Sequence, residues 1–326
     1  MTIKEYEART LFNSPSIAPT IPGWPTLGKH AVTFLPYGLT AVMILAAFLI
    51  LEHRYPVAYV YFVHEDGLVE NSTAAAFAVA AVLLLWESRR SAHFLRRSLL
   101  IAVAAAALFV AGEEISWGQR IFGIDTPDGL SAINDQGEIN FHNIEGVNQL
   151  PKYRPFGGVL LLGLVANIAL QLLRRRRDIA PFIRALPLLQ PAVVPLLLLT
   201  IWTLLFMPFV RSDELGECLL SLCLLAWATN LVLDSRAGPH RFIPAVSLGA
   251  LAGVVLLGAG LAAAFPPENP GWRLNRTAQI FAKHGLYEQS EQILEYVRSD
   301  PEYVRAVNTG RVQCSPRLGR DQRFCR

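Results

Sequence analysis

Gly112-Glu113-Glu114-Ile115-Ser116-Trp117-Gly118-Gln119-Arg120 places two adjacent carboxylates at the end of a wholly apolar run, Leu99 to Ala111. Counted from Arg97, Glu114 lies 17 residues on, about 25 Å along a helix rising ~1.5 Å per residue. The hydrocarbon core of a bilayer is about 30 Å thick. The pair therefore falls at, or slightly inside, the far interface. An ionisable residue at that depth is costly, and a functional site is the default hypothesis. A carboxylate buried without a partner is poised for general acid or base work. The bland alternative is that the pair marks where the helix leaves the membrane.

Other polar groups converge at the same depth. Ser116, Gln119 and Arg120 follow the pair, and the next loop adds Glu138, Asn140, His142 and Asn143. Glu65 and Asp66 stand ahead of another apolar run, and Arg211 and Glu217 link two more. Glu113, Glu114, Arg120, Glu138 and His142 are the catalytic candidates. Gln119, Asn140, Asn143, Glu65, Asp66, Arg211 and Glu217 are candidates for holding a substrate or supporting those groups. Neighbours on a helix point about 100° apart, so Glu113 and Glu114 cannot both face one small site centrally. Glu113 and Arg120 share a face at two turns, so Glu113 is expected to meet Arg120, or Arg211. Glu138 and His142 would share a face if that stretch made one helical turn.

A divalent metal is a second chemistry for the same residues. Glu113, Glu138 and His142, with Glu114 beside them, form a carboxylate-rich set with one imidazole, which suits Mg²⁺, Mn²⁺ or Zn²⁺. His64 would supply a second imidazole. The spacing is not diagnostic: there is no HExxH and no CxxC pair. Nor is there a nucleophile elbow, a P-loop or a dinucleotide fingerprint.

The elements that must position these groups are membrane spans. The chain has 326 residues, is 52% hydrophobic and only 17% charged, with a mean hydropathy of +0.35, which is not a soluble globular composition. Seven segments approach the ~20 residues of a spanning helix: Phe34–Leu51, Leu68–Trp86, Leu99–Trp117, Phe156–Leu173, Leu188–Val210, Leu215–Leu233 and Phe242–Phe265. Arginines crowd the even-numbered loops (Arg89, Arg90, Arg96, Arg97; Arg174 to Arg177 and Arg184; Arg236, Arg241), and acids crowd the odd ones. The even loops are expected in the cytoplasm, which puts the N-terminus inside and the C-terminus outside. Met1–Pro36 shows no signal-peptide pattern, so the spans themselves are expected to drive insertion. The net charge of +3 averages two opposite faces and gives no reason to expect nucleic acid as a partner.

Three parts result: a cytoplasmic arm, 1–33; a seven-span body, 34–265; and an outer helical tail, 266–326. The fold class is all-α, a polytopic helix bundle. The long loop 118–155 carries a turn signal at Asp125-Thr-Pro-Asp-Gly129 and is expected to fold back over the outer mouth, since loops this long are usually functional. In the tail, Ala278, Phe281, Ile293, Leu294 and Val297 recur at helical spacing around Gly285, as a hairpin packed on the body. That tail is also where an envelope protein would dock; membrane lipids are the other expected partner. Cys314 and Cys325 are expected to pair in an oxidising compartment, whereas Cys218 and Cys223 lie within a span as buried thiols. Gly249, Gly253, Gly258 and Gly260 point to close helix contact in the last span, the first two as a GxxxG pair.

Glu65-Asp66-Gly67, Gly112-Glu-Glu-Ile-Ser-Trp-Gly-Gln-Arg120-Ile-Phe-Gly123 and Asn134-Asp-Gln136-Gly-Glu138-Ile-Asn140-Phe-His142-Asn143 resemble a group of uncharacterised bacterial multi-pass membrane proteins. The resemblance covers roughly Glu65 to Asn143. It implies a polytopic protein of the bacterial inner membrane and brings no activity with it. The Glu-Glu pair is also similar to that of the CAAX-protease-like intramembrane glutamate peptidases, whose motif is Glu-Glu-x-x-x-Arg. Here five residues, not three, separate Glu114 from Arg120, and the accompanying histidine elements are not evident at span positions.

Three functions fit these residues: a membrane hydrolase or transferase acting on a lipid or lipid-linked substrate, an accessory subunit of an envelope or export complex, and a transporter. The clustering of polar groups at one interface favours the first two, since a transporter more often places acids near the midplane.

Overall fold

Apolar segments in a bilayer must satisfy their backbone internally, and helices do so. The computed structural model of the protein describes residues 24–64, 67–134, 138–144, 146, 153–174, 183, 185–234, 243–265, 270–299 and 301. Its long elements are α1 (Trp24–Arg54), α2 (Pro56–Val63), α3 (Leu68–Arg90), α4 (Phe94–Glu114), α5 (Tyr153–Leu173), α6 (Val194–Phe206), α7 (Ser212–Asp234), α8 (Ile243–Ala264), α9 (Pro270–Lys283) and α10 (Tyr287–Ser299). Among the described residues strand pairing is limited to one bridge, Asn134 with Ile144. The protein is an all-α membrane helix bundle with a small helical tail. Among the described residues six helices are long and apolar enough to cross a membrane, and a shorter apolar helix covers Pro191–Phe206.

Helix α7 is the hub. Of its apolar window 83% is buried, against 17–22% for α1, α4, α5 and α8. Helix α3 lies beside it and packs also on α4 and α8. Its buried alanines, Ala74, Ala75, Ala76, Ala80 and Ala81, permit that crowding, because small side chains let helix axes approach. Tyr37 donates to or accepts from Thr229 at 2.8 Å, tying α1 to the hub.

Two expected span boundaries move. The third helix runs from Phe94 and stops at Glu114, so it starts before Leu99 and ends short of Trp117. The fifth is shorter than Leu188–Val210. A 3-10 turn, Pro191–Val193, leads into α6, which ends at Phe206 with Met207 in the left-handed region. Pro208 explains the stop, because the residue before a proline is driven out of the α region. On the other side, Leu186–Gln190 is non-helical, and α5 satisfies its backbone. Asn167 accepts from Leu189 N–H at 2.9 Å, and Gln171 donates to Leu189 C=O at 2.6 Å. Asn167 is thus a clasp for irregular backbone.

Successive spans alternate in direction. The ends of α1, α4, α6 and α8 therefore share one face with the starts of α3, α5 and α7. The tail reaches the same face from α8. Helices α9 and α10 form the expected hairpin, turning at Gly285 (φ 78°), and bury Ala278, Phe281, Ile293, Leu294 and Val297. Phe281 meets Tyr59 of α2 edge-on at 5.7 Å between centroids. The hairpin is docked, as its spacing suggested. Cys314 and Cys325 lie outside the described residues, as do Glu65 and Asp66; Cys218 and Cys223 are buried free thiols.

The glycines of the last span behave differently from the GxxxG expectation. A Cβ at Gly249 or Gly253 would meet open space, whereas one at Gly258 would lie 2.8 Å from both Cα and N of Ser72. Gly258 is the point where α8 touches the backbone of α3, and backbone cannot yield as a side chain does. Gly258→Ala should destabilise the protein by about 1–3 kcal/mol, the usual cost of overpacking, read as a lower melting temperature in detergent. Gly253→Ala should leave it unchanged; equal melting of both variants would contradict this contact.

Candidate functional site

The site begins where α4 unwinds. Ser116 (φ 46°), Trp117 (φ 53°) and Gly118 (φ 75°) are three consecutive left-handed residues, closed by Gly118 N–H on Ile115 C=O at 2.8 Å. Glycine takes that conformation freely, while Ser and Trp each give up roughly 1–2 kcal/mol. Side-chain contacts offset this cost. The Trp117 indole N–H donates to Glu113 Oε1 at 2.7 Å, its ring meets Phe109 edge-on at 5.5 Å, and Ser116 Oγ donates to Glu138 Oε2 at 2.7 Å. Gly112 makes the reversal feasible, since a Cβ there would lie 2.9 Å from the Trp117 ring. Trp117 therefore ties the turn to Glu113 and Phe109 of α4.

The reversal aims the following loop back at the helix. Gln119 accepts from Ile139 N–H at 2.7 Å and donates to Thr126 at 2.6 Å. Asn134 donates to both the backbone and side-chain oxygens of Asn140 at 3.0 Å and accepts from Glu138 N–H at 3.1 Å. Asn140 in turn donates to Glu138 Oε2 at 2.9 Å and Ser116 Oγ at 3.2 Å. The loop ends on Glu113, whose Oε2 accepts from Phe141 N–H at 2.8 Å and His142 N–H at 3.1 Å and lies 3.5 Å from His142 Nδ1. Glu113 is buried.

Several expectations change. Glu113 meets an indole, two amides and an imidazole in place of Arg120 or Arg211. The helix stops one residue after it, so the two-turn relation to Arg120 never forms. Arg211 pairs instead with Glu214, and lies 4.0 Å from Asp213. Residues 138–142 form no helical turn, so Glu138 points to Ser116 and Asn140 while His142 goes to Glu113. The metal set Glu113, Glu138 and His142 is not assembled; among the described residues no three His, Cys, Asp or Glu side chains stand together as metal ligands. Both oxygens of Glu113 are already committed to protein donors.

Glu113, Glu114, His142 and the buried Asn143 line a cavity of about 760 Å³ on the site face. Arg211 and Glu217 line it as expected, with Glu70, Asp213 and Glu214 beside them. Among the described residues six carboxylates and three arginines line it, the arginines being Arg154, Arg211 and Arg276. The tail contributes Arg276, Ile280 and His284, so the docked hairpin is a wall of the site.

Sequence reasoning missed Tyr153, Arg154, Arg276 and His284, and the pin behind Arg211. That pin is Glu52, buried at the end of α1, which accepts from Val210 N–H at 2.6 Å. Tyr59 donates to Val210 C=O. Both backbone groups of Val210 are held, and Arg211 follows with φ 59°. A carboxylate one residue beyond an apolar span was the available signal for Glu52. Nothing local marks Arg276 and His284, which an amphipathic helix carries to the site.

No protein-family model, no curated protein and no solved structure matches this chain. The site's geometry carries its own test. Glu113→Leu would strand one indole and two backbone N–H groups, each unsatisfied donor costing about 1–3 kcal/mol. Hydrogen exchange at Phe141 and His142 should accelerate in that variant, while exchange in α7 stays slow. Unchanged protection of the two amides would show that Glu113 does not hold the loop.

Proposed function

We propose that the protein is a membrane-embedded hydrolase or transferase that acts on a lipid or lipid-linked substrate at the outer interface of a bacterial plasma membrane. The observation that carries this reading is His142, held against the buried carboxylate of Glu113 at the wall of a charged cavity beside the hydrocarbon. In this reading Glu113 is a positioning residue. It faces Nδ1 of the imidazole at 3.5 Å, and the role assigned to Nε2 is to take the proton of an attacking water or acceptor hydroxyl. The new bond forms at an ester carbonyl or phosphorus, and the imidazolium returns its proton to the departing oxygen. Glu114 and Glu217 line the same cavity, and the arginines bind negative charge in the substrate.

The orientation belongs to the same reading. The arginine-rich loops lie at the opposite ends of the spans from the site, and such loops stay in the cytoplasm. The accessory-subunit alternative draws on α10, which exposes Tyr287 and Tyr296. A transporter is less well supported, because the acids gather at one end of the bundle.

Two measurements test the proposal. The full chain, reconstituted in vesicles of phosphatidylethanolamine, phosphatidylglycerol and cardiolipin, should convert a lipid, seen as a mass change. His142→Ala should slow this by about 10²–10⁴, the usual contribution of general acid–base catalysis, at unchanged membrane content. Conversion that survives His142→Ala would refute the assignment. Reporter fusions at Ser91 and Asp178 should signal from the cytoplasm and one at Arg311 from outside; a cytoplasmic Arg311 would invert the site's face.

A further inference from the structure

A smaller chamber of about 270 Å³ adjoins the charged cavity. Tyr153 and Glu217 belong to the walls of both. Beyond those two residues the lining is Phe156, Leu204, Gly216 and Leu220, all apolar. The chamber sits between α5, α6 and α7, and Phe156 in its wall is 42% exposed. Gly216 shapes the chamber, since a Cβ there would come within 2.3 Å of Leu204 Cδ2 and displace that wall. Four of its six lining residues are apolar, a surface that suits hydrocarbon better than water.

A charged cavity joined through one phenol and one carboxylate to an apolar recess has the form of an amphiphile. We propose that the substrate enters sideways from the bilayer, with one hydrocarbon chain in the recess and an amine-bearing head group in the cavity. The inference rests on the lipid-interface reading above and names its substrate class. The charge balance selects the head group. Among the described lining residues six carboxylates outnumber three arginines, and Coulomb energies grow as water is excluded. An ammonium group offsets that excess, whereas an anionic glycerol head group adds to it. A phosphate between chain and amine falls near the junction, where Arg154 adjoins Tyr153 in sequence and lines the cavity with it.

The test uses the full chain in phosphatidylcholine nanodiscs carrying a trace of one photoreactive probe. The probes are phosphatidylethanolamine with a diazirine in one acyl chain, phosphatidylglycerol with the same chain, and a diazirine alkane without a head group. Cross-links are mapped by mass spectrometry. The ethanolamine probe should label Phe156 and Leu220 at least about tenfold more than Leu162 and Leu256, which are 70% and 73% exposed on the outer surface. The glycerol probe should label the recess severalfold less. Leu220→Trp should fill the recess and abolish labelling at Phe156 without changing it at Leu256. If that variant does not accumulate, Phe156→Trp at the mouth should protect Leu220 in the same way. Recess labelling by the alkane equal to that by the ethanolamine probe would overturn the inference, as plain hydrocarbon would then account for it. Equal labelling by both lipids would overturn the amine preference. Labelling needs no turnover, so it is read independently of conversion. Labelling that persists while conversion ignores His142→Ala would refute the catalytic reading alone.

Discussion

The carboxylate of Glu113 holds the site together. It sits at the last full turn of α4 and takes three N–H groups, two of them from a loop 28 and 29 residues further on. A buried carboxylate demands donors, and the α-helix it ends cannot supply them because its own N–H groups are spent on the backbone. The chain solves this by reversing direction at once. Three left-handed residues swing Trp117 back over Gly112 and send the loop toward the helix end. The reversal, the indole contact and the loop closure are one arrangement, each part stabilising the others.

A second pin acts on the opposite wall. Glu52 and Tyr59 hold the two backbone groups of Val210, and the Phe206–Ser212 turn is thereby fixed against α1 and α2. This turn carries Arg211 and starts α7. Ser212 adds its own clasp, accepting from Phe209 N–H at 2.7 Å. The two anchored irregular segments face each other across the cavity. Irregular backbone near hydrocarbon is tolerated only where it is satisfied or lines a cavity, and here both conditions hold. The tail completes the enclosure, because Phe281 seats on Tyr59 of α2, the helix that follows the Glu52 pin.

These anchors hold the backbone on both sides of the imidazole of His142. Its carboxylate partner is also held by the Trp117 indole and the Phe141 amide, and the backbone N–H of His142 itself donates to it. The acids of α7 and α3 surround the same volume from the most buried helices of the bundle. The apolar recess lies on the other side, toward the thinly covered α5. Tyr153 and Glu217 therefore line both the charged cavity and the apolar recess.

Composition and loop charge were enough to define an all-α membrane bundle, seven apolar segments and a tail hairpin around Gly285. Those features follow from hydropathy and helical periodicity, which are local. The sequence also marked Glu113, Glu114 and His142, because carboxylates beside hydrocarbon and a polar loop stand out against apolar runs. It could not say which partner each would take. Helical geometry pointed Glu113 to Arg120, and the left-handed turn at Ser116–Gly118 removed that relation. The same geometry joined Glu138 to His142, which the folded loop separates. It picked Gly249 and Gly253 as the contact glycines, whereas Gly258 meets α3, since contact depends on where a second helix lies. Arg276, His284, Glu52 and the recess were invisible for the same reason. Each depends on segments distant in sequence being brought together, and only the packed bundle decides that.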